Sequence, residues 1–137
     1  NTNEISYRYR TMLCALLMSR LCHRFAEGGK PHTAVTLRDE TTIPIRIVND
    51  LLFELLEAGL IVELTSDEKG ETSQYMPAED IRNITLGTMI DRLESRGTWK
   101  LDLDVGKLFS EQWGKAMEQR MNYLHALRDI PLQDLNP

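Results

Sequence analysis

Apolar residues recur along most of this chain every three to four positions, and along one short stretch every second position. From Ile5 to Phe25, the residues Tyr9, Met12, Leu13, Leu16, Leu17, Leu21 and Phe25 fall at helical spacing and predict an amphipathic helix. Gly28-Gly29-Lys30-Pro31 ends it, because glycine accepts the left-handed cap and proline cannot extend a helix. Thr36 followed by Asp39 predicts a capped start for a short helix running to Thr41. Pro44 fits the first turn of the next helix, where its missing N–H costs little. Ile47, Val48, Leu51, Leu52, Leu55 and Leu56 give that helix an apolar stripe, and Gly59 ends it. Two helices across so short a turn predict a helix-turn-helix.

Leu60 to Leu64 predicts a strand, Asp67-Glu68-Lys69-Gly70 a turn, and Thr72 to Met76 a returning strand, together a wing. Thr85 is expected to cap a helix from Leu86 to Ser95 that Gly97 terminates. Asp104 is expected to cap a last long helix carrying Val105, Leu108, Phe109, Trp113, Ala116, Met117, Arg120, Leu124 and Leu127, with Pro131 marking its end. The predicted fold is mostly α (α+β): a winged helix-turn-helix with a two-stranded wing and a long C-terminal helix. Residues 1–137 form one domain, with 1–97 holding the winged helix and 98–137 the long helix and tail.

Composition changes this picture in one respect. With 42% apolar and 27% charged residues the chain is ordinary for a globular domain, but its net charge is -5. Residues 1–36 carry net +3, residues 37–75 net -6, and residues 76–137 net -2. The segment that should read DNA is therefore the acidic one. Acids in a groove face repulsion and forfeit counterion release, so the sequence predicts only weak DNA binding. No apolar run approaches the roughly 18–20 residues needed to span a bilayer. The chain starts at Asn1 rather than Met, and the expectation is of a piece of a larger protein.

The candidate chemistry is sparse. The start of the second helix of the helix-turn-helix offers Arg46 and Asn49, residue types that pair with guanine and adenine edges, followed by Asp50, Glu54 and Glu57. Ile45 is expected near the surface there, as a contact for another protein. Arg8, Arg10, Arg20, Arg24 and Lys30 form a weak basic set, either a solvated helix face or a surface for anionic lipid headgroups. Cys14 and Cys22 lie about 12 Å apart on one helix and cannot share a tetrahedral metal unaided. They read as buried thiols of a reducing cytoplasm. His23, His32 and His125 show no ligand spacing, and no nucleophile elbow, phosphate loop or paired-acid motif is present, so neither a metal, a cofactor nor a catalytic residue is expected. The stripe through Phe109, Trp113, Arg120 and Leu124 predicts a two-fold dimer, with Arg120 meeting an acid of the other subunit such as Glu111 or Glu118.

Several strings resemble the winged-helix regulator family typified by IscR, NsrR and CymR. Leu52-Phe53-Glu54-Leu55-Leu56-Glu57-Ala58-Gly59-Leu60-Ile61 is similar to the exit of that family's recognition helix. Tyr75-Met76-Pro77-Ala78 resembles the close of its wing, and Ile84-Thr85-Leu86-Gly87-Thr88-Met89-Ile90 the helix start after it. Trp113, Leu127 and Ile130-Pro131-Leu132-Gln133-Asp134-Leu135 resemble its long dimerising helix and closing tail. Two features depart from the family. Residues 76–137 hold no cysteine where its cluster-binding members carry three, which argues against an iron–sulfur cluster. Thr72-Ser73-Gln74 replaces the wing's Gly-Gly.

A second resemblance runs through Phe25-Ala26-Glu27-Gly28-Gly29-Lys30-Pro31 and Ile43-Pro44-Ile45-Arg46-Ile47-Val48-Asn49. These strings resemble the soluble C-terminal extension of YihY/BrkB-family membrane proteins, historically labelled ribonuclease BN. The expectation that follows is a non-catalytic regulatory or protein-interaction domain on the cytoplasmic side of a membrane parent, with nucleic acid disfavoured. The alternative is a dimeric DNA-binding transcription regulator of the IscR-like class without a cluster. A ribonuclease part is a third reading, carried by the family label alone.

Overall fold

The computed structural model describes residues 2–65, 72–97, 104, 107 and 110–135. Helix α1 spans Tyr7–Ala26 and starts where the Ser6 hydroxyl accepts the Tyr9 N–H at 3.2 Å. Its buried face runs through Cys14, Leu17, Met18, Leu21 and Cys22. This corrects the expected stripe: Tyr9, Met12 and Phe25 are exposed, Met12 at 61%. α1 is apolar on two faces, and only one of them meets the core.

Helix α2 spans Ala34–Thr41 and begins earlier than Thr36. The cap is Thr33, whose hydroxyl accepts the Thr36 N–H at 3.1 Å while the Thr36 hydroxyl accepts the Thr33 N–H at 2.8 Å. Both groups serve as a reciprocal box, with threonine where glutamate is more usual. Thr42 ends the helix in the left-handed region, φ 63°, an uncommon conformation for a branched residue. That turn lets Ile43 enter the core and Pro44 launch α3, Ile45–Glu57.

Val48, Leu51, Leu52 and Leu55 bury one side of α3. At its end Gly59 adopts φ 72°, Leu60 N–H donates to Leu55 O at 3.0 Å and Gly59 N–H to Leu56 O at 3.0 Å, a Schellman closure. The chain then turns straight into the wing, β1 Ile61–Leu64 against β2 Gln74–Pro77, antiparallel, with Ile61 opposite Pro77 and Leu64 opposite Gln74. The expected turn at Asp67–Gly70 lies outside the described residues.

Thr85 caps α4, Leu86–Ser95, as its sequence predicts, with Thr88 N–H donating to its hydroxyl at 3.2 Å. The Asp104 carboxylate accepts the Lys107 N–H at 3.0 Å, ahead of the described start of the last helix. Val105, Leu108 and Phe109 of the expected stripe lie outside the described residues. Helix α5 spans Ser110–Leu127 and buries Leu124. The tail then folds back. Leu132 N–H donates to Ile84 O at 3.0 Å, Leu132 is fully buried, and the Ser19 hydroxyl of α1 donates to Leu135 O at 2.9 Å. One core therefore joins α1, the helix-turn-helix, α4 and the closing tail. The protein is mostly helical with a two-stranded sheet, the winged-helix architecture its sequence predicts.

Candidate nucleic-acid interface

The face of α3 turned away from the core carries Arg46, Asn49 and Phe53, all exposed, Phe53 at 60%. Their spacing of three and four residues places them on one side of the helix. Arg46 makes no ion pair among the described residues. Ile45 does not belong to this face. It is half-buried and packs against the core, so only part of its side chain faces outward. Pro44 is the cap, so Ile45 is the first helical residue of α3.

The acids that darkened this segment are turned inward or paired. Glu54 is only 9% exposed and lies between two arginines, Arg10 of α1 and Arg96 just beyond α4, the latter at 2.8 Å. Arg96 also reaches Glu57 at 2.6 Å. Asp50 accepts the Thr2 hydroxyl. Glu40 meets Arg20 at 3.2 Å and Arg24 at 2.8 Å, Asp39 meets Arg38 at 3.0 Å, and Glu63 accepts the Ser73 hydroxyl at 2.9 Å. Every described acid between residues 37 and 65 thus has a partner in its own chain. Asp39, Glu40, Glu54 and Glu57, which meet arginines, have their charge offset locally, while Asp50 and Glu63, bonded to hydroxyls, keep theirs. The net charge of a sequence window missed this because Arg10, Arg20, Arg24 and Arg96 lie outside the window.

A polar network ties the helix-turn-helix to the wing. His32 is buried, with Nδ1 2.8 Å from Thr36 Oγ1 and Nε2 3.3 Å from Glu40 Oε2. Burial pushes its pKa below the usual value, Glu40 opposes this, and Arg24 and Arg20 add to it. Its carbonyl accepts the Tyr75 N–H of β2 at 2.8 Å. Sequence reasoning found no role for this histidine, and nothing in its spacing signals one.

Other candidates fall elsewhere. Arg120 is half-buried and finds its acids within the same chain, Asp91 at 3.2 Å and Glu94, both on α4. The suggested intersubunit partner is therefore corrected: α4 packs close enough to supply the countercharge. Leu124 is taken up by the chain's own core, while Trp113 is 40% exposed. Cys14 and Cys22 are buried, and burial pushes their thiols up to about 11 and about 12. No group of metal-ligating side chains assembles among the described residues.

Neither family models nor curated proteins gave a match to this chain. Solved structures did. IscR of T. potens shares 21% identity with a TM-score of 0.60, over 98% of this chain and 88% of its own. CymR (YrzC), the global cysteine regulator of B. subtilis, shares 20% identity with a TM-score of 0.62, over 96% and 94%. CymR of Staphylococcus aureus shares 17% identity with a TM-score of 0.61, over 94% and 98%. The likeness overturns the expected membrane-protein accessory domain: the three structures named are IscR and CymR proteins, none of them a YihY/BrkB protein or a ribonuclease, and no described helix is long and apolar enough to cross a membrane. What this chain shares with IscR and CymR is the winged-helix fold from α1 to the closing tail.

Proposed function

We propose that this protein is a DNA-binding transcription regulator that places α3 in the major groove and reads bases with Arg46 and Asn49. The observation that carries this reading is that Arg96 holds Glu54 and Glu57 of α3, while Arg46 and Asn49 stand exposed on the face turned away from the core. Arginine pairs with guanine O6 and N7, and asparagine with adenine N6 and N7. The exposed ring of Phe53 on the same face suits a thymine methyl or a sugar. The structural likeness to IscR and CymR supports the reading through the fold.

The regulator is proposed to act as a two-fold dimer. On the far face of α1, a mainly apolar groove of about 530 Å³ runs past Tyr7, Met12, Leu16, Ile90 and Tyr123. On α5, Trp113, Met121 and Tyr123 expose large apolar surface, and Tyr123 also lines the groove. A second copy covering both would bring two reading helices into one two-fold assembly, the arrangement with which helix-turn-helix dimers bind paired half-sites.

The test is selection of bound duplexes from a random pool, followed by anisotropy titration at about 100 mM salt. A selected palindromic site should bind about 10³-fold or more tighter than mixed sequence. Arg46→Ala should cost about 1–3 kcal/mol on that site and relax its preference at one base pair per half-site. A pool that stays unenriched, with all duplexes bound alike, would overturn the reading.

A further inference from the structure

A second polar pocket, separate from α3, lies between the α1–α2 loop and the wing. It encloses about 460 Å³ and is lined by Arg24, Lys30, Thr33, Thr36, Thr72 and Gln74. Three chain segments contribute, and among the described residues no carboxylate lines it. Its near wall is held in place. Arg24 donates to Lys30 O at 2.8 Å and to Glu40 Oε2 at 2.8 Å. Gly29 makes this possible, since a Cβ there would stand 2.6 Å from Arg24 Cδ. The hydrogen bond from Tyr75 N–H to His32 O then fixes the loop against β2.

Each of the groups left over can donate. The side chains of Lys30, Thr72 and Gln74 make no hydrogen bond or ion pair among the described residues. Lys30 and Thr72 are exposed and Gln74 is half-buried. An ammonium, a hydroxyl and an amide converging on one open pocket match the oxygens of a phosphate, which proteins hold through these donor types. The pocket also spans the helix-turn-helix and the wing, the two elements that contact a duplex in a winged helix. A single phosphate group is small against its volume, so the pocket suits a phosphodiester with its flanking sugars.

We infer that this pocket clamps one phosphodiester of the DNA backbone, with Lys30 as its cation. The inference rests on the DNA-binding reading and adds a contact that sets position without reading sequence. Its signature differs from that of Arg46. Lys30→Ala should weaken selected and mixed-sequence duplexes by the same factor, and should lower the slope of log affinity against log salt by about 0.9. Thr72→Ala should weaken both duplexes by a smaller common factor and leave the slope unchanged. Pyrophosphate, titrated against the protein without DNA, should move the amide resonances of Lys30, Thr33 and Gln74, and Lys30→Ala should abolish the movement.

If wild type binds a selected site and Lys30→Ala leaves affinity and slope unchanged, the clamp is wrong and the reading by α3 stands. If wild type binds no duplex while pyrophosphate still moves those resonances, the DNA reading falls, and the pocket is a site for small phosphates rather than for DNA.

Discussion

The guanidinium of Arg96 at the end of α4 lies 2.8 Å from the Glu54 carboxylate on α3. Through its other arm it holds Glu57 at 2.6 Å, so one residue masks two acids of the reading helix. Arg96→Ala should cost about 1–2 kcal/mol in urea unfolding, because Glu54 is nearly buried and keeps only Arg10. The same variant should weaken DNA binding although Arg96 touches no base. Raising salt should narrow the gap between variant and wild type, since the exposed Glu57 charge is screened. Unchanged affinity at low salt would show that these acids never face the duplex.

α4 and α5 pack almost backbone to backbone at Gly87. A Cβ there would stand 2.4 Å from Leu124 O and 3.0 Å from Arg128 N. Neither atom belongs to a flexible tip, so Gly87→Ala must push the helices apart. The expected cost is about 1–3 kcal/mol, read as a lower urea midpoint with an unchanged m-value.

Ile45 and Leu55 separate partial from full burial on α3. Leu55 is fully buried, and Leu55→Ala should cost about 2–5 kcal/mol. Ile45 is half-buried at the edge of the core. Ile45→Lys should cost about 1–2 kcal/mol and keep the fold, as the lysine stem covers the same apolar edge while its ammonium reaches water. Circular dichroism melts of both variants would check the order.

Acid should loosen the joint between the helix-turn-helix and the wing. The His32 pKa is lowered in the folded state, chiefly by burial, with Glu40, Arg24 and Arg20 facing the ring. The unfolded chain then takes up a proton first as pH falls below about 6.5. Its contribution to stability is therefore complete above that value and is lost as pH drops toward the folded pKa. The melting temperature should fall between pH 7 and 5, and less steeply in His32→Gln.

Trp113 tests the proposed dimer. Sedimentation equilibrium at micromolar concentration should return about twice 15.8 kDa, and Trp113→Ala should shift the mass toward one chain. A monomeric wild type would leave the α5 surface without the proposed occupant.

The hydrophobic period made the helices and the wing legible, because burial of one face is a local property of sequence. The start of α2 was misplaced because Thr33 and Thr36 cap each other, and a threonine at the third position carries no acid to betray the box. The core face of α1 was misread since Met12 and Tyr9 extend its apolar character onto a second side. The charge of the site was the larger miss. Glu54 and Arg96 are 42 residues apart, and Arg120 and Asp91 are 29 apart. Pairs made by folding over such distances leave no trace in a windowed charge.

The two thiols of α1 bear on how the binding surface can be measured. Both are buried and held protonated at neutral pH, with pKa values of about 11 and about 12, so maleimides and nitroxide reagents should pass them by. A cysteine introduced at Arg46, at Lys30 or on the exposed half of α5 would then be the reactive one in an otherwise native chain. Spin labels or fluorophores placed there singly would give distances between copies and changes on adding duplex, without first removing residues that fill the core.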